Sequence, residues 1–112
     1  MPLFVAYYRR CYPRYVRLHR MLHEEKVLGE ITFVSYRKTA KPKPGGNGWR
    51  TEAASSGGGL FLDVGSHALD LLDFLLGPLR EVRGCARGNP GAVEQRVACS
   101  FAFDNGAVGT AT

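Results

Sequence analysis

Apolar residues along this chain recur with two different periods, and the changes of period mark out its elements. Leu3 to Tyr7 is a short unbroken apolar run of strand type, followed by Arg9, Arg10 and a turn around Pro13. From Arg14 to about Lys26 the apolar positions Tyr15, Leu18 and Leu22 recur at spacings of three and four between basic residues, which predicts an amphipathic helix ended near Gly29. Ile31 to Tyr36, with Phe33 and Val34 inside it, reads as a strand. Lys41 to Gly48 is built from prolines and glycines and reads as a loop closed by Trp49 and Arg50. After Ser55, Ser56 and Gly57 to Gly59 comes a long apolar segment that runs to Leu76 and stops at Gly77 and Pro78. It is too long for a strand, so it predicts a buried helix.

Glu81 to Ala86 is a weaker strand candidate. Arg96 to Phe103 alternates cleanly, placing Val97, Cys99, Phe101 and Phe103 on one face, and Asp104, Asn105 and Gly106 then supply a tight turn into Ala107 to Thr112. Strand, helix, strand, helix and a short meander together predict an α+β fold, a mixed, largely antiparallel open sheet with helices packed on one face. The 112 residues are expected to form one domain. An ending inside the last strand suggests a piece of a longer protein.

Charge changes this picture little. Residues 1 to 50 hold eleven Lys or Arg against three acids, and residues 51 to 112 hold four against seven, so a net charge of +5 is concentrated in the first half. That balance would suit a nucleic-acid binder. The basic residues are scattered over the first helix (Arg14, Arg17, Arg20) and over Arg37, Lys38, Lys41 and Lys43 without a binding motif, so a solvated surface is the preferred reading. Cys11, Cys85 and Cys99 form no C-x-x-C pair and no zinc spacing, which points to reduced thiols in a cytoplasmic protein. The apolar segment to Leu76 is interrupted by Asp63, His67, Asp70 and Asp73, so it is no membrane span, and Met1 to Ala6 is too short for an export signal.

Those interruptions carry the candidate chemistry. At about 100° per residue, Asp63, His67 and Asp70 fall on one narrow stripe of an otherwise apolar helix. Ionisable groups among apolar neighbours cost several kcal/mol unless they are paired or reach a wet cleft. One reading is a self-contained trio in which Asp63 accepts from His67 and Asp70 caps a loop. The other is a proton-transfer site, because an imidazole exchanges protons near neutral pH and a carboxylate one turn away orients it. Gly57, Gly58 and Gly59 just before the helix would let a ligand approach its first-turn N–H groups, or would serve as a plain linker. The chain has no G-x-G-x-x-G and no Walker A lysine, so it does not hold a dinucleotide by the usual route.

At these residues the sequence resembles the oxidoreductases grouped as glucose-fructose oxidoreductase, inositol dehydrogenase and MocA proteins. Gly57, Gly58, Gly59, Asp63, Gly65, His67, Asp70 and Gly77 stand in the spacing of that family's G-G-G-x-x-x-D-x-G-x-H-x-x-D signature. Tyr7, Tyr8, Arg9, Arg10, Pro13, then Leu28 to Ile31, Trp49, Arg50 and Phe103 to Gly106 agree with it, so the resemblance spans about residues 3 to 112. It implies the substrate-binding and oligomerisation domain of a two-domain enzyme whose Rossmann domain, absent from this chain, binds NAD or NADP. A hydride would pass to or from a sugar-, cyclitol- or diol-like hydroxyl carbon. His67 would be the general acid/base, and Asp63 would bind the substrate hydroxyl and tune His67. The family's lysine in an E-K-P motif is missing, and Lys43 and Pro44 do not replace it, so the chain alone is expected to be inactive.

Around this centre, Tyr8, Arg9 and Trp49 are candidates for substrate binding, and Gly58, Gly59 and Arg50 for the cofactor side. No metal site is expected: His19 and His23 lie at i and i+4 but lack an accompanying acid, and read as an exposed helix face. Arg9, Arg10 and Arg50 equally well contact cofactor phosphate or substrate or only solvate the surface, and Trp49 is more often a packing anchor than a sugar platform. The competing function is a non-catalytic module that associates with itself through the sheet.

Overall fold

Val97, Cys99, Phe101 and Phe103 do share one face of a strand, and the burial of that strand deepens along it until both phenylalanines are only 3% exposed. In the computed structural model, which describes residues 1–41, 48–89 and 92–112, the elements are helix α1 (Pro13–His23), strand β1 (Phe33–Tyr36), short helix α2 (Ala53–Ser56), helix α3 (Ser66–Leu76), and strands β2 (Leu79–Arg87), β3 (Arg96–Phe103) and β4 (Val108–Ala111). The four strands form one sheet in the order β1-β4-β3-β2, with β1 parallel to β4 and the other pairs antiparallel. The mixed, largely antiparallel sheet read from the sequence is therefore the observed one. The loop read at Lys41 to Gly48 lies outside the described residues from 42 to 47.

Cross-strand partners project to the same face. Leu79, Gly84, Cys99, Phe101, Phe103, Gly109, Ala111, Val34 and Tyr36 thus make one face. On it rest Leu72, Leu75 and Leu76 of α3, with Leu18 and Leu22 of α1 joining from the side. The other face carries Phe33, Ser35, Val108, Thr110, Ala98, Ser100 and Ala102.

The C-terminal end of α3 shows how turn chemistry locks this packing. Gly77 takes φ 98°, a conformation that costs a side-chain-bearing residue strain, and its N–H closes on the carbonyl of Asp73. The orphan carbonyls are then capped from elsewhere: the Asn105 amide donates to the Leu76 oxygen at 3.1 Å, and His23 Nε2 lies 2.8 Å from the Leu75 oxygen. Asn105 also accepts from the Ala107 N–H at 3.0 Å, so one turn residue shapes the β3–β4 hairpin and caps a helix.

Three expectations need correction. Leu3 to Tyr7 forms no strand; Leu3 is 91% and Phe4 87% exposed, and a strand without a neighbouring ladder has no partner for its backbone groups. The apolar segment before Leu76 is not a uniform buried α-helix, because Phe61–Gly65 is a π-turn and Leu60 and Leu62 are exposed. The exposed helix face read for His19 and His23 holds for His23, whereas His19 is half-buried against the domain. Their rings lie 4.3 Å apart, and His19 stacks on Phe74 of α3 at 4.7 Å.

Candidate active site

The π-turn divides the polar stripe. An i to i+5 turn holds more residues per revolution than an α-turn, so the 100° arithmetic that aligned Asp63 with His67 and Asp70 applies only from Ser66 onward. Asp63 is exposed on that turn, where Ser66 Oγ donates to its backbone oxygen at 3.1 Å. Asp70 is carried inward, its side chain only 7% exposed.

His67 is half-buried between two aromatic rings. Tyr7 meets it edge-on at 5.5 Å and Tyr8 tilts against it at the same centroid distance. Its Nδ1 is buried with no hydrogen-bond partner, so the reading in which Asp63 accepts from His67 finds no bond at that nitrogen.

Asp70 is engaged by Arg10, for which the sequence offered no such partner. Arg10 donates through Nε to Asp70 Oδ1 at 2.8 Å and through its second nitrogen to the Asp70 backbone oxygen at 3.3 Å and to Asp73 Oδ2 at 3.1 Å. The pair raises the Arg10 pKa further, chiefly through the hydrogen bond to Asp70. Arg9 and Arg10 looked equivalent as sequence, but only Arg10 is built into an ion pair among the described residues. Arg9 is half-buried on the same 3-10 turn, Tyr8–Cys11. Trp49 and Arg50 stand on the 3-10 turn Gly48–Thr51, with Trp49 57% exposed.

The glycine stretch also has an internal partner. Glu94 reaches across from the loop before β3 and accepts from the N–H groups of Gly59, Phe61 and Leu62, the latter two at 3.0 and 3.3 Å. A Cβ on Gly59 would come within 2.6 Å of the Glu94 backbone oxygen, so glycine is required there for close packing of the chain on itself. The helix start does attract an anion, and the anion is this carboxylate.

Burial pushes the Glu94 carboxyl up, but bonds from the N–H groups of Gly59, Glu94 itself, Leu62 and Phe61 together hold it below the usual carboxylate value. A group lowered on folding stabilises the fold above its unfolded pKa of about 4.3 and loses that contribution as pH falls through the folded value. Glu94→Gln is accordingly expected to cost about 1 to 2 kcal/mol at neutral pH and to remove part of the stability loss below pH ~4.3. Urea unfolding across pH checks this, and identical acid profiles for the two proteins would contradict it.

Two cavities lie against the same helix start. One of about 100 Å³ lies between Phe61, Gly65, Ala68 and Leu69 and the strand residues Tyr36, Val97 and Ala111. The other opens between Phe61, Leu62 and Leu69 and the β2 residues Val82, Gly84 and Ala86. His67 lines neither of these two cavities. Among the described residues no group of three or more His, Cys, Asp or Glu could hold a metal, and no helix is long and apolar enough to cross a membrane.

Comparison with known proteins bears on what this arrangement is for. Residues 15–112 match the model of the GFO/IDH/MocA C-terminal domain. Oxidoreductase P35 of Formosa agariphila is 32% identical over 108 residues, a match that covers 91% of this chain and 33% of that protein. Among solved structures, levoglucosan dehydrogenase in complex with NADH and levoglucosan matches 96% of this chain at 26% identity with a TM-score of 0.76. GenD2 from gentamicin A biosynthesis, in complex with NAD, matches 88% at 30% identity with a TM-score of 0.66. The chain spans 32% and 29% of those two structures, about a third of their length.

Proposed function

Because the chain belongs to the GFO/IDH/MocA family, as a C-terminal domain of that family of oxidoreductases, we propose that it is the substrate-binding domain of an NAD(P)-dependent oxidoreductase. The reaction moves a hydride to or from a sugar-, cyclitol- or diol-like hydroxyl carbon. One observation carries this reading: a histidine in the signature position is half-buried rather than sealed in the core, has no hydrogen bond at Nδ1, and meets two tyrosine rings.

In this account His67 takes the hydroxyl proton of the substrate through the ring nitrogen opposite the buried Nδ1, and returns it in the reverse direction. Asp63 binds a substrate hydroxyl from the π-turn. Tyr8, Arg9 and Trp49 complete the substrate surface, with Tyr8 also packing on the imidazole. A nicotinamide nucleotide, when bound, supplies the hydride acceptor or donor. The Gly59, Phe61 and Leu62 amides are filled by Glu94 and do not fit its phosphates. Gly58 and Arg50 remain candidates on the cofactor side, and the main grip on the nucleotide belongs to a Rossmann domain outside this chain. The solved relatives bound to NAD and NADH support the nicotinamide, and the one bound to levoglucosan supports a sugar.

The outer sheet face, with Ala98, Ser100, Ala102 and Thr110 flanked by exposed Phe33 and Val108, supports self-association, so light scattering is expected to give an oligomer. A monomer at high micromolar concentration would contradict this. Three free cysteines fit the reducing cytoplasm. Joined to the nucleotide-binding domain of a relative, the chain is expected to reduce NAD or NADP with polyols or sugars and to be inactive without it. Turnover restricted to substrates lacking such a hydroxyl would overturn the reading.

A further inference from the structure

We propose that Arg10 is a positioning residue for His67: by gripping Asp70 and Asp73 it straps the Tyr7–Tyr8 segment across the helix and so fixes the imidazole. This rests on His67 being the proton-transfer group.

The geometry is a short lever. Tyr7 and Tyr8 touch the His67 ring, and Arg10 follows them by two or three residues, on the 3-10 turn that Tyr8 begins. Asp70 follows His67 by three residues on α3, on the same face one turn along. The strap therefore contacts the helix at two adjacent points, rings on imidazole and guanidinium on carboxylates. The residues before Tyr7 are exposed and form no regular element, and the other ring contact of the pair is Tyr8 on Tyr12 at 5.5 Å.

The grip is multiple. Arg10 engages both carboxylates and the Asp70 backbone oxygen, while its guanidinium lies 5.7 Å from the centre of the Phe74 ring. A planar fork of donors suits this bridging, and a lysine ammonium reproduces only part of it. Asp70 is nine-tenths buried and keeps Oδ2 without a partner. Burial of a carboxylate is costly, and Arg10 is the cation that offsets it. A surface arginine that merely solvated the helix would be directed at no such group.

The test is side-chain NMR on the 112-residue chain, with His67 assigned by His67→Ala. In the unaltered protein, ring protons of Tyr7 and Tyr8 are expected to show cross-relaxation to the imidazole, and the ring nitrogens to report one dominant tautomer. Arg10→Gln is expected to lose those contacts and average the tautomers, while amide signals of β3 and β4 stay in place. Arg10→Lys is expected to restore the contacts in part. Unchanged ring contacts and tautomer in Arg10→Gln would overturn the proposal. If Arg10→Gln disperses the sheet signals, Asp70→Asn decides: local loss at His67 with an intact sheet supports the strap, and collapse of the sheet there too makes Arg10 a residue of the fold and overturns it. Unaltered turnover of His67→Ala in the chain joined to a nucleotide-binding domain would instead sink the proton-transfer reading and leave these contacts as they are.

Discussion

Replacing His67 with alanine, in the chain joined to a nucleotide-binding domain, is expected to lower kcat by about a hundred- to ten-thousand-fold, the range usual for removing a positioned acid/base. The fold should survive the change. His67 makes no hydrogen bond through Nδ1, and the aromatic rings it meets among the described residues are Tyr7 and Tyr8, which precede the first helix. Substrate binding should survive as well, because Asp63 and the tyrosines stay in place, so kcat and kcat/KM fall together, as expected when an interaction made in the transition state is lost. Steady-state kinetics and an unfolding curve on the same variant check both halves. A rate within a few-fold of the unaltered protein would remove His67 from the chemistry.

Phe101→Ala is expected to cost about 3 to 5 kcal/mol, a large share of the stability of a domain this size. The ring is 3% exposed, meets Phe103 edge-to-face at 5.5 Å and fills the space above Gly109, where no side chain exists to replace it. Its loss opens a cavity under α3 that Leu72, Leu75 and Leu76 cannot all close. Phe33→Ala is the control: that ring is 58% exposed on the outer face, and the change should stay near 0.5 kcal/mol. Urea unfolding midpoints for the two variants decide the matter, and equal shifts would contradict this assignment of the faces.

Much of the sheet was legible because its signals are local. The alternation from Val97 to Phe103 and the Asp104-Asn105-Gly106 turn each act within a few residues, and Gly77 followed by Pro78 stops α3 for reasons carried by those residues alone. The strand read at Glu81 to Ala86 is longer, Leu79–Arg87, because the β2–β3 pairing tolerates a bulge between Arg80 and Arg83 that periodicity does not show. Helix α1 ends at His23, before Gly29, with Lys26 taking a positive φ of 49° in the connection.

The parts that escaped are long-range. Leu3 to Tyr7 has strand composition, but composition supplies no neighbour to pair with. The π-turn at Phe61–Gly65 shifts Asp63 relative to His67, and no residue type announces it, although a Cβ on Gly65 would press on the Phe61 ring at 2.7 Å. Glu94 reads as a lone acid in a loop; only the folded chain brings it to amides more than thirty residues away. Arg10 reads as one of two adjacent arginines, and its partners lie 60 and 63 residues on. The signature histidine was therefore visible in the sequence, whereas its support was not.

The most direct test is structural: the chain joined to a nucleotide-binding domain, determined with NADH and a polyol or sugar bound. The account predicts a substrate hydroxyl oxygen within about 2.6–3.2 Å of the His67 ring nitrogen opposite Nδ1, with Asp63 on a neighbouring hydroxyl. A substrate seated elsewhere, with no oxygen in reach of that ring, would contradict it.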